Sequence, residues 1–105
     1  MTPEAKVKKY LREQCKARGW LCLPLVHHGL RGWPDNTILG PGGRVAFVEV
    51  KAEEVHHSKD HLERQEKVRE KLRQLGHFAF LVKGKIQVDG LMSVLTHGRG
   101  WPVKI

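Results

Sequence analysis

The chain has 105 residues, 40% hydrophobic and 29% charged, enough for one modest core and too few for a multidomain enzyme. No apolar run approaches the ~20 residues of a membrane span, no basic start leads into an apolar secretion signal, and the composition is neither collagen-like nor that of a disordered tail. Nineteen Lys and Arg against eleven Asp and Glu give a net charge of +8, which suits a polyanionic partner, nucleic acid foremost, and plain solubility about equally when charge is read alone. The two cysteines, Cys15 and Cys22, are too few for a disulfide scaffold and lack the paired C-x-x-C units of a zinc ribbon. They read as free thiols of a cytoplasmic protein.

Thr2-Pro3 has the character of a helix start, and the segment from Glu4 to Arg18 reads as helix closed by Gly19. Val7, Leu11 and Cys15 form its inward stripe, which Glu4 begins. Trp20 to Val26 is a short apolar strand, and His27 to Trp33 a loop. Asp35 to Leu39 and Arg44 to Lys51 are two further strands, joined through Gly40-Pro41-Gly42-Gly43. That glycine cluster lacks the G-K-[ST] ending of a phosphate-cradling loop and leads into a strand, so it is a hairpin turn.

Ser58 to Leu75 is a second helix, with Asp60 and Glu63 at capping-box spacing and a stripe of Leu62, Gln65, Val68, Leu72 and Leu75. Its many Lys, Arg and Glu residues form a solvated face. Phe78 to Val82 is a buried strand, Lys85 to Val88 a short one, and Asp89 is placed to cap a final helix through Leu95. The order α-β-β-β-α-β predicts an α/β fold with a central mixed sheet flanked by helices.

Along the strand from Arg44 to Lys51, Ala46, Val48 and Val50 share one face, while Val45, Phe47, Glu49 and Lys51 share the other. Both faces begin apolar, so the strand is central, yet one face ends in a carboxylate and an ammonium. Burying those groups needs partners. If Pro41-Gly42-Gly43 is a three-residue loop, Gly40 faces Arg44 and Asp35 faces Glu49. Directly opposed like charges destabilise a sheet, and a hard divalent cation with oxygen ligands relieves them. Such an ion acidifies a water for attack on phosphorus. Asp35 and Glu49 are thus candidate metal ligands. Lys51 is placed to stabilise charge on a phosphate, Glu4 to hold an ion, and Gln65 to orient a water or a phosphate oxygen.

Pro34-Asp35, thirteen residues, then Glu49-Val50-Lys51 resembles the PD-(D/E)xK nuclease motif. The ordered set of Glu4, Gly32-Trp33-Pro34-Asp35, Val48-Glu49-Val50-Lys51 and Gln65, with Leu72, Gly76 and an apolar strand behind it, is similar to stand-alone members of the VRR-NUC family. The resemblance covers about residues 2 to 95 of a single domain spanning 1 to 105. It implies a restriction-endonuclease-like fold and a Mg²⁺- or Mn²⁺-dependent endonuclease acting on DNA. It further implies a homodimer acting on branched DNA such as four-way junctions, and the Val50 carbonyl as a further metal ligand. Trp33, and the stretch His56-His57-Ser58, depart from the family pattern and bear on substrate choice.

Other residues carry weaker signals. His27, His28 and Arg31 are candidate phosphate contacts. His57 and His61, spaced i, i+4, would suit one face of a metal site but lack an obvious third ligand. Trp20 suits packing, whereas Trp33 and Trp101 suit packing or base stacking equally. A DNA-binding module without catalysis, or a dimerising interaction protein with an incidental acidic site, are the rival readings.

Overall fold

In the computed structural model, which describes residues 1–24, 31–53 and 57–97, the first helix, α1, runs Pro3–Ala17. Thr2 caps it, its Oγ1 accepting the Ala5 N–H at 3.1 Å. Val7, Leu11 and Cys15 are buried along one stripe, as their spacing predicts.

Four strands form one sheet in the order β1 (Leu21–Pro24), β2 (Asn36–Leu39), β3 (Val45–Lys51) and β4 (Phe78–Lys83). The first two pairings are antiparallel and the third is parallel, so the sheet is mixed. The parallel step needs a crossover, which is the helix α2 (Lys59–Gln74). The final helix, α3, runs Gly84–Thr96.

Both faces of β3 are used. Ala46, Val48 and Val50 meet Ile38 and Val82 under α1 and α3, which contribute Leu11, Val88, Met92 and Leu95 to the same core. Phe47 points to the opposite side, where α2 lies, its ring 5.6 Å from that of Trp33 and 5.9 Å from that of His77. Trp20 packs against the main core as expected. On the α2 side of β1, Leu21 and Leu23 stay exposed.

The hairpin between β2 and β3 has the anticipated loop. Pro41–Gly43 forms a single 3₁₀ turn, with Gly42 at φ 70° and Gly43 at φ 75°, backbone angles that favour glycine. The Gly40 N–H donates to the Arg44 carbonyl at 2.9 Å and closes it.

Three local expectations need correction. Lys85 to Val88 is not a strand: α3 begins at Gly84, and Val88, Leu91, Met92 and Leu95 are buried at helical spacing. The short stretch Lys85-Ile-Gln-Val88 alternates as a strand would, but the longer 3.6-residue period wins. Asp89 therefore lies inside the helix, where it accepts the Tyr10 hydroxyl and ties α3 to α1. The cap of α2 is Ser58, whose Oγ accepts the His61 N–H at 3.2 Å, while Asp60 sits in the first turn. Lastly, the buried face of α2 is Gln65, Arg69 and Leu72; Leu62 and Leu75 lie on its exposed flanks. Arg69, expected in solvent, is buried and pairs with Glu66 at 2.6 Å.

Candidate active site at the end of the β2–β3 hairpin

The ladder between β2 and β3 pairs Asn36 with Val48, Thr37 with Phe47 and Ile38 with Ala46. One step further the same register sets Asp35 opposite Glu49, as the loop length predicts. Here side-chain contacts take over from backbone pairing. Asp35 Oδ1 accepts the Val50 N–H at 3.1 Å and the Asn36 amide at 2.7 Å. Val50 is fully buried, so its N–H needs that acceptor. Asp35 is therefore held rigidly at the strand end, while Pro34, also buried, fixes the entry into β2.

Glu49 and Lys51 are each 3% exposed, and Lys51 Nζ lies 3.3 Å from Glu49 Oε2. The other oxygen, Glu49 Oε1, is buried with no hydrogen-bond partner among the described residues. Burial, and next the facing Asp35 carboxylate, push the Glu49 carboxyl up to about 7, against the pull of Lys51.

Two helices carry the other candidates. Gln65 enters from the buried face of α2, and its Oε1 also has no partner among the described residues. Glu4, in the first turn of α1, does not stand alone: Lys8 lies 3.5 Å from Glu4 Oε2 and 3.0 Å from Asp35 Oδ2. Sequence reasoning missed Lys8 and Asn36. Their signal was faint: Lys8 is i+4 from Glu4, beside the buried stripe, and Asn36 directly follows Asp35.

The remaining candidates are scattered. Arg31 is exposed in the turn before β2, whereas His27 and His28 lie outside the described residues, as do His56 and Trp101. The His57 and His61 rings are 5.6 Å apart at the start of α2. Among the described residues, no three His, Cys, Asp or Glu side chains gather closely enough to hold an ion by themselves.

The donor set can nevertheless be tested against a hard divalent cation. Two opposed carboxylates, one with an orphaned buried oxygen, offer the oxygen ligands such ions take. Mg²⁺ in particular is commonly held by one or two carboxylates, with waters and substrate phosphates completing its shell. The residues fit.

A mixed four-stranded sheet flanked by helices, with this carboxylate pair and lysine at the end of its central hairpin, defines a restriction-endonuclease-like domain of nuclease type. No family model matches the sequence, and no curated protein matches it. The chain is similar to a solved structure of a VRR_NUC domain, with 31% identity and a TM-score of 0.74, over 93% of this chain and 99% of that one. The chain belongs to the VRR-NUC family.

Proposed function

We propose that this protein is a metal-dependent endonuclease that hydrolyses phosphodiester bonds in branched DNA. The observation that carries the reading is the Asp35–Glu49 pair, opposed across the hairpin, with Glu49 Oε1 buried beside Lys51 and unpartnered among the described residues. A pair so placed is costly unless a cation or a proton satisfies it.

Asp35, Glu49 and the Val50 carbonyl would hold Mg²⁺ or Mn²⁺, with Glu4 a further oxygen brought near through Lys8. The ion would supply Lewis acidity toward the phosphate and lower the pKa of a water. The chain's own groups supply the rest. Asn36 and the Val50 N–H fix Asp35 in one orientation. Lys51, on the same strand face as Glu49, offers its ammonium to charge that develops on the phosphate oxygens. Gln65 presents an amide from α2 to orient a water or a phosphate oxygen. The net charge of +8 supports DNA as the polyanion. A two-fold homodimer suits a symmetric junction, because one protomer of this size covers little duplex.

The test is cleavage of labelled four-way junction, flap, nicked and plain duplex DNA with Mg²⁺, Mn²⁺ or EDTA. Wild type and Lys51→Ala run in parallel. The expected result is metal-dependent cutting, strongest on a branched substrate and lost in Lys51→Ala, with DNA binding retained. Salt-sensitive binding without cutting in either protein would instead identify a non-catalytic binding module of the same fold.

A further inference from the structure

A groove of about 490 Å³ opens between the flank of α2 and the sheet, on the same side as Glu49 and Lys51. Its floor is aromatic: Trp33, Phe47 and His77 come from three separate segments and meet edge to face. Its wall is aliphatic, made by Val68, Leu72 and Leu75, and Leu75 is 62% exposed. Its rim carries Lys67 and Lys71.

The rim is the informative part. Lys67 and Lys71 stand one turn apart on α2 and both are exposed. Neither has an ion-pair partner among the described residues, although α2 is rich in carboxylates. Glu63 is taken by Lys59, and Glu66 by Arg69 and Arg73, while Glu70, between the two lysines in sequence, lies beyond ion-pair distance of both. Two like charges at i, i+4 repel, and an anion between them turns that cost into attraction. A flat apolar slot with two free ammonium groups at its lip matches a nucleotide, with the base against the rings and the phosphate at the lysines. A second copy of this chain fits less well, because a two-fold contact through this patch sets four lysines against one another.

Position narrows the ligand further. Trp33 lies two residues before Asp35, and Phe47 two residues before Glu49 on the same face. Along β3 two residues span about 6.6 Å, the reach of one or two nucleotides. Within a continuous duplex the base at that distance is stacked and paired, out of reach of the groove. On a flap it is free, and at a four-way junction it comes free when the pair at the branch point opens.

Resting on the nuclease reading, we infer that this groove binds an unpaired base flanking the scissile phosphate, and that it makes the enzyme select branched DNA. The test is binding rather than cutting. Wild-type protein in EDTA is titrated with a labelled flap or junction in which each nucleotide near the branch is made abasic in turn. One position should weaken binding roughly tenfold to a hundredfold, the worth of one stacked base. In Val68→Trp, which fills the groove from a half-buried position, the same abasic change should have no further effect. Trp33→Phe keeps the packing and serves as a second variant. With 2-aminopurine at the sensitive position, its quenching by wild type should weaken in this variant.

The inference falls if every abasic position is neutral, or if the abasic loss persists undiminished in Val68→Trp. It also falls if Val68→Trp converts a dimer into a monomer, which would assign the groove to a second copy. Failure of the nuclease reading looks different: no DNA is cut whatever the state of the groove.

Discussion

Lys8 reaches from α1 to within 3.0 Å of Asp35 Oδ2 and also lies 3.5 Å from Glu4 Oε2, so the site carries its own counter-cation. Burial lowers the affinity of Lys8 for its proton, but the hydrogen bond and charge of Asp35, with Glu4 behind them, outweigh that and raise its pKa overall. A divalent cation that takes Asp35 Oδ2 must displace this ammonium. Lys8→Gln should therefore tighten Mn²⁺ binding by roughly fivefold, equivalent to the ~1 kcal/mol of a partly exposed ion pair. Calorimetric titration with Mn²⁺ alone measures it. Unchanged or weaker binding would show that Lys8 does not compete for the carboxylate.

Gly32 links the loop before Asp35 to the helix that carries Gln65. It adopts φ +85°, and a Cβ there would lie 2.8 Å from the Arg64 carbonyl oxygen and 3.0 Å from the Gln65 nitrogen. Both are backbone atoms, which cannot swing aside as a side chain can. Gly32→Ala should cost stability beyond the ~1–2 kcal/mol of left-handed strain alone, and should reduce cleavage by pushing the α2 backbone at Gln65 away from the loop that leads into Asp35. Gly42→Ala is the matched control: φ is +70°, but no atom of the described residues lies within 4 Å. It should show the strain cost only and keep its activity. Urea midpoints for the two variants, with cleavage rates of the folded proteins, separate clash from strain.

What the sequence discloses here follows the range of each interaction. The register that opposes Asp35 to Glu49 was legible because a three-residue glycine loop and a period of two fix it locally. The burial of Val7, Leu11 and Cys15 was legible for the same reason. By contrast, α3 was mistaken in its first turn, because four residues of alternating polarity suit a strand or a helix equally until the buried positions at 91, 92 and 95 decide. Lys8 was missed since only tertiary structure brings its long side chain to Asp35. Arg69 was missed because charge count places it outside, whereas the helix orientation set by Gln65 and Leu72 turns it inward.

The start of α2 divides its cap and its charge between two residues. Ser58 supplies the cap through Oγ, and Asp60 contributes only its charge near the helix N-terminus. Ser58→Ala should destabilise the fold by about 1 kcal/mol, while Asp60→Asn should cost no more than a few tenths of that, and less in salt. Thermal or urea denaturation of the two variants decides. Equal losses would return the cap to Asp60.

The Glu49 carboxyl gives the metal-free protein a distinctive pH dependence. Its folded value is pushed up to about 7, first by burial and then by Asp35, from an ordinary value of 4.5 in the unfolded chain. Between those values the folded state keeps a proton that the unfolded state has released. Stability therefore falls as pH rises through this window, with a slope approaching about 1.4 kcal/mol per unit, and levels off above it. Glu66, held below its ordinary value first by Arg69, acts with the opposite sign, but only in more acidic solution. In EDTA, the stability difference between wild type and Glu49→Gln should thus shift against wild type from pH 5 to pH 7.5. Asp35→Asn should shorten that trend without abolishing it, because burial remains. Mn²⁺ should reverse it by favouring the ionised carboxylate. Urea unfolding at four pH values, with EDTA or Mn²⁺, measures all three; a difference flat with pH would mean that Glu49 ionises normally and that its buried oxygen is satisfied in solution.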